Sequence, residues 1–208
     1  SWDILAGERA ENNIGITRYK EITDTRDGKF NSITKNQTYF LPSLSIKKAL
    51  DNKSNLRFAI SKTITRPILI ETMPIQYKNP DGNDILGNHN MPNKSFGDNF
   101  KGLDNSQNYN FDLKYEIFPK SSEIFAINIF GKIVERAIER SLISSSNSNG
   151  TITTFFNAKQ AKLAWVELEG SFNLGRISEN LNKFNFGTNF TYIYSDVERS
   201  DAQKLETN

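Results

Sequence analysis

Few residues in this sequence carry reactive side chains, and they set its first limits. The 208 residues include no cysteine and one histidine, His89. Without cysteine there is no thiolate nucleophile, no disulfide framework and no thiolate metal site. A lone histidine without partners at useful spacing supports neither a catalytic triad nor a transition-metal centre. Asp81-Gly-Asn-Asp84 offers carboxylates and amides to a hard cation. It lacks the alternating ligands and closing glutamate of a calcium loop, so it reads as a turn. Asn36-Gln-Thr38 and Asn189-Phe-Thr191 match a glycosylation acceptor, but the second lies inside a predicted strand and both read as incidental. No catalytic set, cofactor or metal is expected, and the chain is not read as an enzyme.

Binding chemistry is better represented. Met73, Tyr77, Phe96 and Phe100 supply apolar and aromatic contact groups among the donors and acceptors of Asp81, Asn83 and His89. That mixture suits a ligand-binding surface. A second set, Arg57, Asp112, Lys114, Glu116, Glu167 and Glu169, recurs at even spacing within three short stretches.

That spacing belongs to strands. In residues 55–67, Leu56, Phe58, Ile60 and Ile64 fall on one parity, while Arg57, Ala59, Ser61, Thr63 and Thr65 fall on the other. A period of two with one apolar and one polar face is a β-strand, and Pro67 ends it because proline cannot donate to the next ladder. Residues 108–118 repeat the pattern. The same reading predicts strands at 2–11, 38–50, 123–135, 158–174 and 183–197, giving an all-β, antiparallel up-and-down meander of about seven strands. If Pro119 opposes Glu123, then Ile117 faces Phe125, Tyr115 faces Ile127 and Leu113 faces Ile129, so both apolar faces coincide.

The connections alternate as well. Those at 51–54 and 119–122 are short and that at 175–182 is modest, whereas 12–37, 71–107 and 142–157 are long and polar. Short turns on one rim and long loops on the other mark an outer-membrane barrel, and several strands reach the roughly 9–11 residues that a tilted crossing requires. Phe118, Phe125 and Phe184 near the short turns, with Tyr192 and Tyr194 toward the other rim, suit aromatic girdles. Mean hydropathy is −0.56 and no apolar run encodes a crossing helix, which alternating barrel strands do not need. The net charge of +2 gives no reason to expect a nucleic-acid partner. A soluble carbohydrate-recognising sandwich is the alternative, and strand length weighs against it.

Phe40-Leu-Pro-Ser-Leu-Ser45, the stretch from Asn55 to Pro67 with Glu71 after it, Gly87-Asn88 with Asn90, and Asn110-Phe-Asp-Leu-Lys-Tyr-Glu116 resemble, in order and spacing, the barrel of TonB-dependent outer-membrane receptors. Ile4-Leu-Ala-Gly-Glu-Arg9, Phe130-Gly-Lys132 and Val166-Glu-Leu-Glu169 extend the likeness over nearly the whole chain. His89 departs from it, standing where the family commonly has proline. The resemblance implies a plugged barrel of about 22 strands, of which residues 1–208 are a part without plug or closing strands. It implies residence in the bacterial outer membrane and contact with its lipid. It implies as partners the protein's own plug, an inner-membrane TonB energising complex, and a small-molecule, glycan or peptide ligand. Arg57, Asp112, Lys114, Glu116, Glu167 and Glu169 would then face the lumen. The loops carrying Met73, Tyr77, Asp81, Asn83, His89, Phe96 and Phe100 would face the ligand.

Overall fold

A computed structural model describes residues 1–19, 30–72, 76–78, 84–86, 103–120, 122–144, 151–201 and 204. In chain order the strands are β1 (Trp2–Tyr19), β2 (Asn31–Ala49), β3 (Ser54–Thr65), β4 (Gln76–Lys78), β5 (Asp84–Leu86) and β6 (Ser106–Ile117). They continue as β7 (Ile124–Glu135), β8 (Ile138–Ser144), β9 (Thr151–Asn157), β10 (Gln160–Asn173) and β11 (Asn185–Glu198). A seven-stranded sheet has the order β1-β2-β3-β6-β7-β10-β11, and a four-stranded sheet has the order β4-β5-β9-β8. Every neighbouring pair in the large sheet is antiparallel. Among the described residues no helix is long and apolar enough to cross a membrane.

The predicted register is the observed one: Leu113 opposes Ile129, Tyr115 opposes Ile127 and Ile117 opposes Phe125. Ladder partners share a face of the sheet, so rows can be followed across all seven strands. Ile4, Ile46, Phe58, Leu113, Ile129, Val166 and Tyr192 form one such row. Ala6, Leu44, Ile60, Phe111, Gly131, Ala164 and Tyr194 form the next. On β6 and β7 this apolar face runs from Ile117 opposite Phe125 up to Tyr109 opposite Ile133. At about 3.3 Å per residue the eight steps span roughly 26 Å of strand, or about 20 Å of height once the strands tilt, most of the apolar band of an outer-membrane barrel. Its large side chains stay exposed, Phe111 at 40% and Ile129 at 39%. Phe125 and Phe184 lie toward the short turns as expected, but Tyr192 occupies the middle row of the face, away from the long rim.

Two of the expected loops prove to be largely strand, and the third carries two short strands among its described residues. β1 continues to Tyr19 and β2 begins at Asn31, so much of 12–37 is a tall hairpin. β8 and β9 occupy most of 142–157, and β4 and β5 lie within 71–107. These segments lack a regular apolar–polar alternation because they rise above the apolar face: the half-buried side of upper β2 carries Lys35 and Gln37 beside Ile33 and Tyr39, and β9 buries Thr153 and Thr154 beside Ile152 and Phe156. Backbone pairing and polar side chains hold them instead: Asn12 Nδ2 donates to Asn36 Oδ1 at 2.8 Å and to Thr38 Oγ1 at 2.9 Å.

Burial concentrates where the small sheet meets the large one. Leu103, Asn105, Ser106, Asn108, Ile152, Thr153, Thr154, Phe156, Ala158 and Ala161 are buried there, while every residue of the edge strand β11 is exposed.

Candidate functional site: the long rim and the polar face

The two long excursions, 66–105 and 136–159, leave the same end of the large sheet and pair with each other through β5 and β9. Arg136 starts the second excursion with φ 54°, the only positive φ of a non-glycine among the described residues. Its carbonyl accepts from Ser106 Oγ at 2.9 Å and Asn157 Nδ2 at 2.8 Å. Asn157 also donates to Asp104 O at 2.9 Å and accepts from Asp104 N at 2.7 Å. One amide thus ties the ends of both excursions together. The Asp104 carboxylate receives Lys35 Nζ at 2.7 Å and Gln37 Nε2 at 3.3 Å, with Arg136 Nη1 at 3.8 Å. Lys35 Nζ also donates to Leu103 O at 2.5 Å. The tall β1–β2 hairpin is therefore fastened to the rim, and Arg66 adds an ion pair to Glu11. Beside it, a cleft of about 340 Å³ is lined by Gln37, Thr38, Tyr39, Phe40, Lys62, Gln107 and Arg136.

Of the ligand-facing candidates, the structure places Tyr77 on the backbone of β4. Met73, Asp81, Asn83, His89, Phe96 and Phe100 lie outside the described residues. No group of metal-ligating side chains occurs among the described residues.

The six charged strand residues share one face, opposite the apolar one. Arg57 opposes Lys114, Lys114 opposes Asn128 and Asn128 opposes Glu167. Asp112 joins Ala59 and Phe130, while Glu116 and Glu169 both oppose Ala126. Glu116 is the most enclosed of them, its carboxylate 3.1 Å from Arg57 Nε and 3.0 Å from Lys114 Nζ. The Arg57 contact is an ion pair without hydrogen-bond alignment. Asn189 Nδ2 donates to Glu167 Oε1 at 2.7 Å. Sequence reasoning missed an aromatic pair on this same face: Phe130 and Trp165 stack at 4.9 Å between centroids. Both sit at polar-parity positions, and that break in alternation was the available signal.

At the short rim, Glu123 accepts from Arg176 Nε at 2.9 Å and Nη2 at 2.5 Å, joining the β6–β7 turn to the turn after β10. The Arg176 guanidinium holds the Glu123 carboxyl down at about 2, below its ordinary 4.5. Asp51 caps the β2–β3 turn, accepting from Lys53 N at 2.7 Å, and this bond lowers its carboxyl pKa.

An exposed apolar face on one side, an ion-paired polar face on the other, and short and long connections on opposite rims define the wall of a large transmembrane β-barrel. The chain belongs to the outer membrane protein beta-barrel family, whose model matches residues 1–208. Its place is the outer membrane, and the soluble-sandwich alternative is set aside. Among solved structures, the siderophore receptor PirA from Pseudomonas aeruginosa superposes with a TM-score of 0.60 at 16% identity, covering 94% of this chain and 35% of its own. A mutant of the ferric enterobactin receptor PfeA from Pseudomonas aeruginosa, in complex with enterobactin, gives a TM-score of 0.54 at 16% identity, covering 91% and 26%. These neighbours bear out, for the fold, the resemblance to TonB-dependent receptors. This chain spans about a third of the PirA chain and about a quarter of the PfeA chain. No curated protein matches it by sequence.

Proposed function

We propose that residues 1–208 form part of the barrel of a TonB-dependent receptor that takes up a scarce nutrient across the outer membrane. The observation that carries this reading is the joining of two long excursions into one sheet at a single rim. A rigid platform of that kind positions loop side chains for capture. In this reading the long rim faces outward, and the segment bearing Met73, Tyr77, Asp81, Asn83, His89, Phe96 and Phe100 meets the ligand. The likeness to receptors of a siderophore and of ferric enterobactin supports a metal chelate, with a glycan or peptide as the other ligand classes. Arg57, Asp112, Lys114, Glu116, Glu167 and Glu169 line the lumen and pack against a plug. An inner-membrane TonB complex supplies the energy that moves the plug, and this chain contributes no catalytic group.

Deleting residues 78–98 from the receptor should reduce uptake sharply while the barrel still inserts. The measurement is accumulation of labelled ferric chelate in cells, normalised to receptor in the outer membrane. Undiminished uptake would place capture on other strands or on the plug.

A further inference from the structure

The large sheet has an open seam. β2 pairs with β3 only over Ser43–Ala49, whereas its pairing with β1 continues up to Asn31. β3 in turn pairs with β6 through Thr65. Above Ser43 and Ser61 the two strands part, and residues 37–42 and 62–65 have no ladder partner across the gap. The pairing stops one residue short of Pro42, which has no N–H to offer. The cleft lined by Gln37, Thr38, Tyr39, Phe40, Lys62, Gln107 and Arg136 lies in this fork.

We propose that this fork binds the anionic phosphate headgroup of a membrane lipid, with the acyl chains lying down the apolar face below. Thr38, Phe40, Lys62 and Gln107 share the parity of the apolar face, since Phe40 continues Leu44 and Ile46, and Lys62 continues Phe58 and Ile60. The fork therefore opens on the lipid-facing side, directly above the row containing Leu44, Ile60 and Phe111. Among the described residues two cations and no carboxylate line it, the nearest acidic group of that face being Glu135, opposite Gln107. Lys62 Nζ sits 5.3 Å above the Tyr109 ring and makes no ion pair among the described residues. Arg136 reaches Asp104 only at 3.8 Å, and that carboxylate is already bonded to Lys35 at 2.7 Å. Glu135, on the neighbouring strand, accepts from Tyr109 Oη at 3.4 Å.

Two further features favour a lipid. Ile60 and Phe111, 41% and 40% exposed, provide an apolar track below Lys62, and Phe40, 60% exposed, adds an aromatic wall to the cleft itself. Backbone N–H groups left unpaired at the edge of hydrocarbon need a polar partner, and phosphate oxygens accept several such bonds at once. A cleft of about 340 Å³ holds a headgroup, leaving the chains outside.

The proposal rests on the lipid-facing assignment and not on uptake, so a receptor that fails to transport still tests it. The full-length receptor in non-ionic detergent would be titrated with phosphatidylglycerol or with phosphatidylcholine, and bound lipid counted by native mass spectrometry. Wild type should retain phosphatidylglycerol selectively. Lys62→Gln should weaken retention about five- to tenfold, and Lys62→Gln with Arg136→Asn about thirtyfold. Lys62→Arg keeps the charge and should retain lipid, which separates loss of charge from loss of fold. Lys162→Gln should also retain it, because Lys162 stands on the same row but away from the fork. Equal retention by wild type and the double variant would overturn the proposal. So would equal retention of the two lipids, or complete displacement by inorganic phosphate, which would make the fork a simple anion site.

Discussion

Leu113 and Lys114 are adjacent in the chain and stand on opposite faces of β6, one opposite Ile129 and the other opposite Asn128. In a barrel that difference separates lipid from lumen. Leu113→Arg should cost about 2–4 kcal/mol at mid-depth and disrupt assembly. Lys114→Ala should be far milder, since Glu116 keeps Arg57 at 3.1 Å. Heat-modifiable gel mobility of the two full-length variants compares them directly, and equal tolerance would sink the facing assignment. At the short rim the Glu123–Arg176 pair gives a pH dependence with a definite sign. The folded carboxyl titrates at about 2 and the ordinary one at 4.5. Its contribution is therefore complete above the ordinary value and is lost as pH falls from there toward 2. The gap in thermal midpoint between wild type and Glu123→Gln should be constant above about pH 5 and close under acid. A gap that persists at the acid end would mean that Glu123 acts by packing and not by charge.

Elements differ in how much of them the sequence shows. The stretches around Phe58, Leu113, Ile129 and Leu168 were legible because one face must be apolar and the other must not, and the register followed from that constraint. The upper hairpin of β1 and β2 was illegible because no face of it has to be apolar, and β9 because Thr153 and Thr154 are buried beside Ile152 and Phe156, so burial there does not follow apolar parity. Ser32, Thr34, Asn36 and Thr38 alternate with Ile33, Lys35, Gln37 and Tyr39, and Lys35 and Gln37 interrupt the apolar parity that would mark a strand. The six charged positions could be assigned to one face from parity alone. The Lys35–Asp104 link and the Asn157 amide join residues far apart in sequence, which no local pattern reports. Asn157→Ala tests whether that amide anchors the second sheet. Removing it leaves Asp104 N, Asp104 O and Arg136 O without these bonds, at about 1 kcal/mol each. Amide hydrogen exchange should rise in β8 and β9 and stay unchanged in β6 and β7. Unchanged exchange in β8 and β9 would mean that Ile152 and Phe156, not the amide, hold the sheet in place.

For the whole molecule the edges decide the outcome. Along the middle apolar row, Ile129 is 39% exposed, whereas Ile4 on β1 and Tyr192 on β11 reach 66% and 62%. Exposure rises toward both sides, as it must where no further strand packs alongside. The 14 residues of β11 present one edge and the 18 of β1 the other, each with a row of unpaired N–H and C=O groups. β11 adds Phe184, Phe186, Phe190, Tyr192 and Tyr194 on or near that edge, all exposed. A contiguous apolar surface of this breadth is larger than a monomer keeps in water. Lipid covers it in the membrane, and in the barrel proposed here further strands would take up both edges. Residues 1–208 expressed alone should therefore aggregate in plain buffer or bury the face against a second copy, and should become monodisperse only in detergent. Sedimentation velocity with and without detergent measures this. A monodisperse monomer in plain buffer at high concentration would mean that the two edges and the apolar face find cover within this chain, and the reading of its exposed side as lipid-facing would fall.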